Sequence, residues 1–344
     1  MADIPESFMQ PLEDQPNLSV DVEFDAKEIP VFDISSIDVN LISEIREACK
    51  IWGFFQVINH GVDKNLRQKL ETVAHNFFQE PLEQKKLIKR DELNPTGFHD
   101  SEHTQNVRDW KEVFICFTQD PTEVSASHLL EEVGIRNLSN RWPQHPSSFR
   151  ETCEEYGKAV SALALRLLHM ISLSLGLPAE RLDDYFQNQG SYLLVNNYPT
   201  CPNPKLTLGV GPHKDPNAFT ILAQDEVGGL EVKRKSDGSW IPVKPIPEAF
   251  IINIGDCMQV WTNDIYKSVE HRVVVNSTKS RMSIPLFFFP AHTTLVKPLE
   301  ELVDEKNPAR YKGFNWGKFM ANRNRSDFEK QEGGIISISD FKIV

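Results

Sequence analysis

The sequence predicts an α+β protein, with a mixed, helix-rich N-terminal half and an antiparallel β domain in the C-terminal half. Before about residue 190, apolar residues recur at helical spacing. Beyond it, short β-rich runs succeed one another, with Gly, Pro, Asn or Asp about every 8–14 residues. The chain of 344 residues is long enough to bury a full core in each part. Regular short strands with turn signals indicate a sandwich or a barrel.

Residues 1–27 are polar and proline-bearing and are expected to be flexible or loosely docked. EIPVFDIS alternates as a short strand. From Asn40 to Trp52 the residues Leu41, Ile45, Ala48, Cys49 and Trp52 form one helical stripe. GFFQVINHGV reads as a strand with glycine at both ends, and Lys64 to Phe78 as a second helix. Between Asn94 and Glu132 the pattern weakens, with NPTGFHD and DWKEVFICF suggesting loop and short strand. Pro143 to Gly176 predicts a long helix that packs outside the sheet, with Ser147 as its cap and Gly176-Leu177-Pro178 as its stop. The β runs follow: SYLLVNNYP, LTLGVG, AFTILAQD, GLEVKR, WIPVKP, AFIINIGD, VWTND, SVEHRVVVN, RMSIPLFFF and TTLVKP. FNWGKFMANRNRSDF closes the chain as a helix. The resulting division is 1–27, 28–140, 141–189 (the long helix), 190–300 (the β domain) and 301–344.

Composition restricts the function. The net charge of −12 argues against a nucleic-acid backbone or an anionic membrane as partner, because both attract basic patches. The longest apolar run, ALALRLLHMISLSLGL, is interrupted by Arg166 and His169 and is too short to span a bilayer. Five scattered cysteines without a C-x-x-C pair read as free thiols of a reducing compartment. The N-terminus carries no apolar signal-peptide core, so the cytosol is the expected setting. A small-molecule substrate and a monomeric protein are expected.

The chemistry-bearing pattern lies in the β domain. In GPHKDP, His213 and Asp215 stand two residues apart, which on a strand puts both on one face, with Lys214 as an outward spacer. His271 lies in SVEHRVVVN, with 55 residues between it and Asp215, room for about five strands of a jelly roll. The second and seventh strands of such a roll come side by side, so the three residues could meet. Two histidines and one carboxylate on one face of a metal leave positions open for a co-substrate and O₂, the arrangement of non-haem Fe(II) oxygenases. Taken singly, each histidine is better explained by core or surface packing; the conjunction carries the reading. Arg281 and Ser283 share one strand face, and a guanidinium fork with a hydroxyl suits a carboxylate. Tyr198 of NNYP has a phenol that could reach the same group.

GPHKDP with AFTILAQD, SVEHRVVVN, RMSIP, NNYPTCPNP and IINIGD, together with EIPVFDIS and ACKIWGFFQVINHGV in the N-terminal half, resembles the plant 2-oxoglutarate- and Fe(II)-dependent dioxygenases, the isopenicillin N synthase-like branch that oxidises hormones and specialised metabolites. The ordered motifs run from about residue 28 to about residue 320. The resemblance implies a double-stranded β-helix (jelly-roll) core flanked by helices, with a mixed helical N-terminal dioxygenase domain. It implies His213, Asp215 and His271 as iron ligands, and Arg281 and Ser283 on the distal carboxylate of 2-oxoglutarate with Tyr198 and Asn196 beside them. Fe(II), 2-oxoglutarate and O₂ would be required, with ascorbate as reductant. The implied activity is hydroxylation, demethylation or desaturation of a small, largely apolar plant metabolite, with succinate and CO₂ as co-products.

The odd-numbered residues of β-run 281–289 share a face, so Phe287 and Phe289 are expected to line the pocket with Arg281 and Ser283. Phe98, Phe114 and Phe219 are further candidates for an aromatic substrate wall. The C-terminal helix is expected to act as a lid, with Phe314, Trp316, Phe319 and Met320 as its apolar side. Two alternatives stand beside this reading: an oxidase of the same fold that uses ascorbate in place of 2-oxoglutarate, and a non-catalytic jelly-roll receptor for a small molecule.

Overall fold

The computed structural model describes residues 4–16, 29–129, 131–132, 134–326 and 335–343. Its principal strands are β1 (Val31–Asp33), β2 (Phe54–Ile58), β3 (Gly97–His99), β4 (Glu112–Phe117), β5 (Tyr192–Tyr198), β6 (Leu208–His213), β7 (Phe219–Gln224), β8 (Leu230–Lys233), β9 (Trp240–Pro242), β10 (Phe250–Ile254), β11 (His271–Val274) and β12 (Arg281–Phe288). The principal helices are α1 (Val39–Ile51), α2 (Lys64–Gln79), α3 (Phe149–Ser174), α4 (Asp256–Trp261) and α5 (Trp316–Ser326).

Strands β5 to β12 make a jelly roll. The larger sheet runs β1-β2-β10-β7-β12-β5-β4-β3, and the smaller runs β6-β11-β8-β9. All pairings within these sheets are antiparallel except β1 with β2. The second and seventh strands of the roll, β6 and β11, pair with His213 opposite His271. The N-terminal half thus supplies four strands to the sheet of the C-terminal half, and one apolar core crosses residue 140.

That core lies between the larger sheet and helices α1, α2 and α3. The α1 stripe is buried at the positions the sequence predicts: Leu41, Ile45, Ala48, Cys49 and Trp52. A second apolar cluster, with Phe54, Val210, Val232, Ile251 and Val273, fills the base between the two sheets. The other end of the sandwich remains open as a cavity.

The structure differs from the sequence reading at several elements. Helix α3 begins at Phe149, and its cap residue is Ser148, not Ser147, with no side-chain capping bond. Phe149 N–H instead bonds Pro146 O (3.0 Å), so a turn starts the helix. VWTND is not a strand: its first two residues end α4 and the rest form a turn. The reason is local, because Asp256 N–H donates to Asp215 O (2.8 Å) and Cys257 N–H to Asn217 O (3.0 Å), which docks the helix start on the loop after Asp215. Of the N-terminal segment, residues 4–16 are docked against the roll: Ile4 is buried, Phe8 meets the Trp110 ring edge-on, and Gln10 N–H bonds Leu206 O (2.8 Å).

The approach of α4 to that loop leaves no space at Gly255, where a Cβ would lie 2.2 Å from both Asn217 O and Asn217 Oδ1. Gly255→Ala is therefore expected to destabilise the protein by about 3 kcal/mol, the upper end of overpacking costs. Denaturant unfolding would show it as a lowered midpoint; an unchanged midpoint would contradict the packing described.

Candidate metal centre

His213 ends β6, His271 begins β11, and Asp215 lies in the loop that follows β6. One ligand atom from each lies within 4.8 Å of the others. His213 Nε2 is 3.5 Å and His271 Nε2 3.6 Å from the same oxygen, Asp215 Oδ1. The two imidazoles are 4.2 Å apart, centroid to centroid.

The surroundings leave these atoms available to a cation. Each histidine turns Nδ1 to the carbonyl two residues before it, Gly211 O (2.9 Å) and Val269 O (3.2 Å). A backbone carbonyl can only accept, so Nδ1 carries the proton and Nε2 presents a lone pair. Asp215 Oδ2 is occupied by donors, Thr220 Oγ1 (2.5 Å) and Asn253 Nδ2 (2.7 Å), which leaves Oδ1 for the metal. Burial alone would raise the Asp215 carboxyl, but His271, His213 and the Thr220 bond hold it well below the usual carboxylate range. For His271, burial and the neighbouring His213 lower the imidazole to about 4, so its neutral, ligating form prevails. The donor set, two imidazole nitrogens and one carboxylate oxygen, fits a divalent iron with open positions.

Arg281 lies on β12 inside the same cavity, 4% exposed. Its Nη2 donates to Gln224 Oε1 (3.2 Å), while Nε and Nη1 are buried without a hydrogen-bond partner. Buried guanidinium donors left unpaired are costly, and an anion resolves them. The guanidinium carbon stands 4.8 Å over the Tyr198 ring. Ser283 and Asn196 face each other across β12 and β5, with Asn196 Nδ2 3.5 Å from Ser283 Oγ. The acceptor of that amide, Asn196 Oδ1, is buried and unpaired.

The cavity has a volume of about 980 Å³. Phe287 and Phe289 line it, as do Ile115, Tyr192 and Leu194 from β4 and β5. Phe98, Phe114 and Phe219 do not. In β7, Thr220 and Leu222 face the cavity, so Phe219 points to the helix side, where it packs on Phe288 (5.2 Å). Phe114 packs edge-on against Phe149 (4.8 Å) and, with Phe98, surrounds Phe77 under α2 and α3. Phe314, Trp316 and Phe319 are likewise core residues; from α5 it is Met320, Arg323 and Asn324 that reach the cavity. Lys214 is exposed at the cavity rim.

Several functional contacts have no counterpart in the sequence reading. Thr220 and Asn253 hold Asp215, and each is a polar residue inside an otherwise apolar strand, a signal that was available. Residues Ile335, Ser337, Ile338, Ser339 and Lys342 of the C-terminal segment also line the cavity. A buried charge cluster, Arg90–Glu102–Lys111–Asp109, forms part of its wall, with Lys111 Nζ 2.7 Å from Glu102 and 3.7 Å from Asp109.

Known proteins are similar to this chain. Residues 190–290 match the 2OG-Fe(II) oxygenase superfamily, and residues 29–145 match the N-terminal region described as non-haem dioxygenase in morphine synthesis. The chain is 38% identical over 337 residues to Protein DMR6-LIKE OXYGENASE 1 of Arabidopsis thaliana, covering 94% of this chain and 90% of that protein. It is 38% identical over 288 residues to naringenin,2-oxoglutarate 3-dioxygenase of Callistephus chinensis, covering 82% and 77%. The crystal structure of JOX2 in complex with 2OG, Fe and JA superposes with a TM-score of 0.79 at 34% identity, over 93% of this chain and 89% of that one.

Because Phe114 is wholly buried away from the cavity, Phe114→Ala is expected to cost about 3–5 kcal/mol of stability. The folded fraction should keep its affinity for 2-oxoglutarate. Unfolding curves and ligand titration together test this; a variant of normal stability with altered ligand affinity would place Phe114 in the site instead.

Proposed function

The chain belongs to the 2OG-Fe(II) oxygenase superfamily, and on that premise we propose that His213, Asp215 and His271 hold the iron while Arg281 and Ser283 bind the distal carboxylate of 2-oxoglutarate. The protein is an Fe(II)- and 2-oxoglutarate-dependent dioxygenase. The observation that carries the assignment of residues is the pairing of a ligand-ready His–Asp–His cluster with a buried, half-satisfied guanidinium in one cavity.

When bound, iron and 2-oxoglutarate together activate O₂ for oxidation of an unactivated C–H bond, with 2-oxoglutarate leaving as succinate and CO₂ and ascorbate serving as the usual auxiliary reductant. The chain's own residues set the conditions. The carbonyls of Gly211 and Val269 fix both imidazole tautomers. Thr220 and Asn253 fix the carboxylate rotation. Gln224 and the Tyr198 face hold the guanidinium, and its Nε and Nη1 donors are left for an anion. Tyr198 and Asn196 complete the polar floor beside Ser283. Phe54 meets the His271 ring edge-on at 5.4 Å and closes the base of the site to water.

The cavity far exceeds 2-oxoglutarate in size, and Phe287, Phe289 and Met320 give it an apolar wall. A small, largely apolar plant metabolite suits that wall. The reading is supported by a relative named for naringenin and a structural neighbour that holds JA. Five buried, unbridged cysteines suit a reducing, cytosolic setting; among the described residues no helix is long and apolar enough to cross a membrane. A monomer acting alone is part of the same proposal.

Incubation of iron-loaded protein with 2-oxoglutarate and a plant metabolite extract is expected to yield succinate, together with a product that has gained one oxygen, lost a methylene or lost two hydrogens. His213→Ala should abolish iron-dependent succinate formation; full turnover would overturn the ligand assignment. Arg281→Met should raise KM for 2-oxoglutarate by about 10–100-fold, corresponding to roughly 1.5–3 kcal/mol for a charged hydrogen bond. An unchanged KM would overturn the clamp.

A further inference from the structure

The strand that carries His213 is an edge strand. Among the described residues β6 pairs only with β11 in the smaller sheet, and its outer edge faces the segment 102–111. An unpaired edge leaves backbone N–H and C=O groups without partners and the strand free to shift. Here the edge is covered by one backbone bond and by side chains rather than by another strand of the sheet. Trp110 N–H donates to Leu208 O (3.0 Å) at the start of β6. At its end, Gly211 N–H donates to Asp109 Oδ1 (3.2 Å) and Gln105 Nε2 to Pro212 O (3.0 Å). Thr104 packs so closely that a Cβ at Gly211 would lie 3.0 Å from its side chain.

Asp109 is the centre of this arrangement. It is 2% exposed, and its other oxygen accepts from Thr104 Oγ1 (3.1 Å) and lies 3.7 Å from Lys111 Nζ. Lys111 is itself paired with Glu102 at 2.7 Å, and Glu102 with Arg90 at 3.6 Å. The carboxylate that holds the Gly211 N–H is thereby fixed from a second direction. The carbonyl of the same residue, Gly211 O, accepts from His213 Nδ1 (2.9 Å). One residue thus links the acidic side chain to the ligand ring: Asp109 anchors its N–H, and its C=O orients His213.

We propose that Asp109 is a positioning residue for the iron. By fixing the Gly211 backbone on the open edge of β6, it sets the direction of His213 Nε2 without itself ligating the metal. The inference rests on the iron-site reading above. It assigns a role in metal affinity to the loop that precedes β4, a segment distant in sequence from every ligand.

Anaerobic titration of Fe(II) into the full-length protein with 2-oxoglutarate present, followed by calorimetry and by the visible charge-transfer absorption of the iron complex, tests it. Parent protein that failed to bind iron would defeat the iron-site reading itself. If the parent binds, Asp109→Ala is expected to weaken Fe(II) binding about 10–100-fold, the size of effects from groups that orient metal ligands, and to shift the absorption band. Asp109→Asn keeps an acceptor for the Gly211 N–H and should restore affinity to within about threefold of the parent. Equal iron affinity in the parent and a folded Asp109→Ala variant would overturn the proposal, as would an Asn variant no better than Ala. Should Asp109→Ala not fold, Gln105→Ala at the exposed second tie decides. A several-fold weaker iron affinity supports the proposal and an unchanged affinity overturns it.

Discussion

The Asp215 carboxylate, removed from water and shared between two imidazoles, constrains everything around it. A buried carboxylate persists only if donors and cations surround it. Here two side-chain donors hold one oxygen, and the other faces His213 and His271 at nearly equal distances. The donors come from neighbouring strands of the larger sheet, β7 and β10, while the histidines come from β6 and β11 of the smaller. The site exists only when both sheets are in register, so the jelly roll and the metal centre are specified together.

The same geometry separates the tasks of the two sheets. On the proposed assignment, the smaller sheet and the loop after β6 supply the metal ligands, and β12 and β5 of the larger sheet supply the anion clamp. Arg281, Ser283, Pro285 and Phe287 alternate along one face of β12, from charged floor to apolar wall. Ile284, Leu286 and Phe288 alternate on the other face and pack under the helices. One strand thus lines the cavity on one face, where the proposed clamp and substrate wall lie, and builds the core on the other. Its strict two-residue period keeps them apart.

That period explains what was legible in the sequence. The clamp in RMSIP and the facing of Phe287 and Phe289 follow from alternation along one strand, whereas in GPHKDP only His213 is on a strand and Asp215 reaches the same site from the loop that follows. Phe114 was not legible because VFICF is buried on both faces, whereas at Phe219 the adjacent Thr220 marked the opposite face as the cavity side. A continuous apolar run carries no parity by which to choose the cavity side. Thr220 and Asn253 broke such runs and marked the cavity face, although their partner, Asp215, is a tertiary contact that spacing does not reveal. The helix at Asp256 was hidden for a related reason: the backbone of the Asp215 loop, not propensity, sets where it starts. The C-terminal segment near Ile338 carries no periodic pattern, and only the fold brings it to the cavity.

The central claim is that iron sits among His213, Asp215 and His271 and that 2-oxoglutarate reaches it with its far carboxylate on Arg281. Crystals grown without oxygen in the presence of Fe(II) and 2-oxoglutarate, with diffraction collected across the iron absorption edge, test it most directly. The account expects one strong anomalous peak bonded to His213 Nε2, Asp215 Oδ1 and His271 Nε2, with 2-oxoglutarate density running from it to the Arg281 guanidinium. An iron peak at other side chains, or 2-oxoglutarate bound away from Arg281, would contradict it.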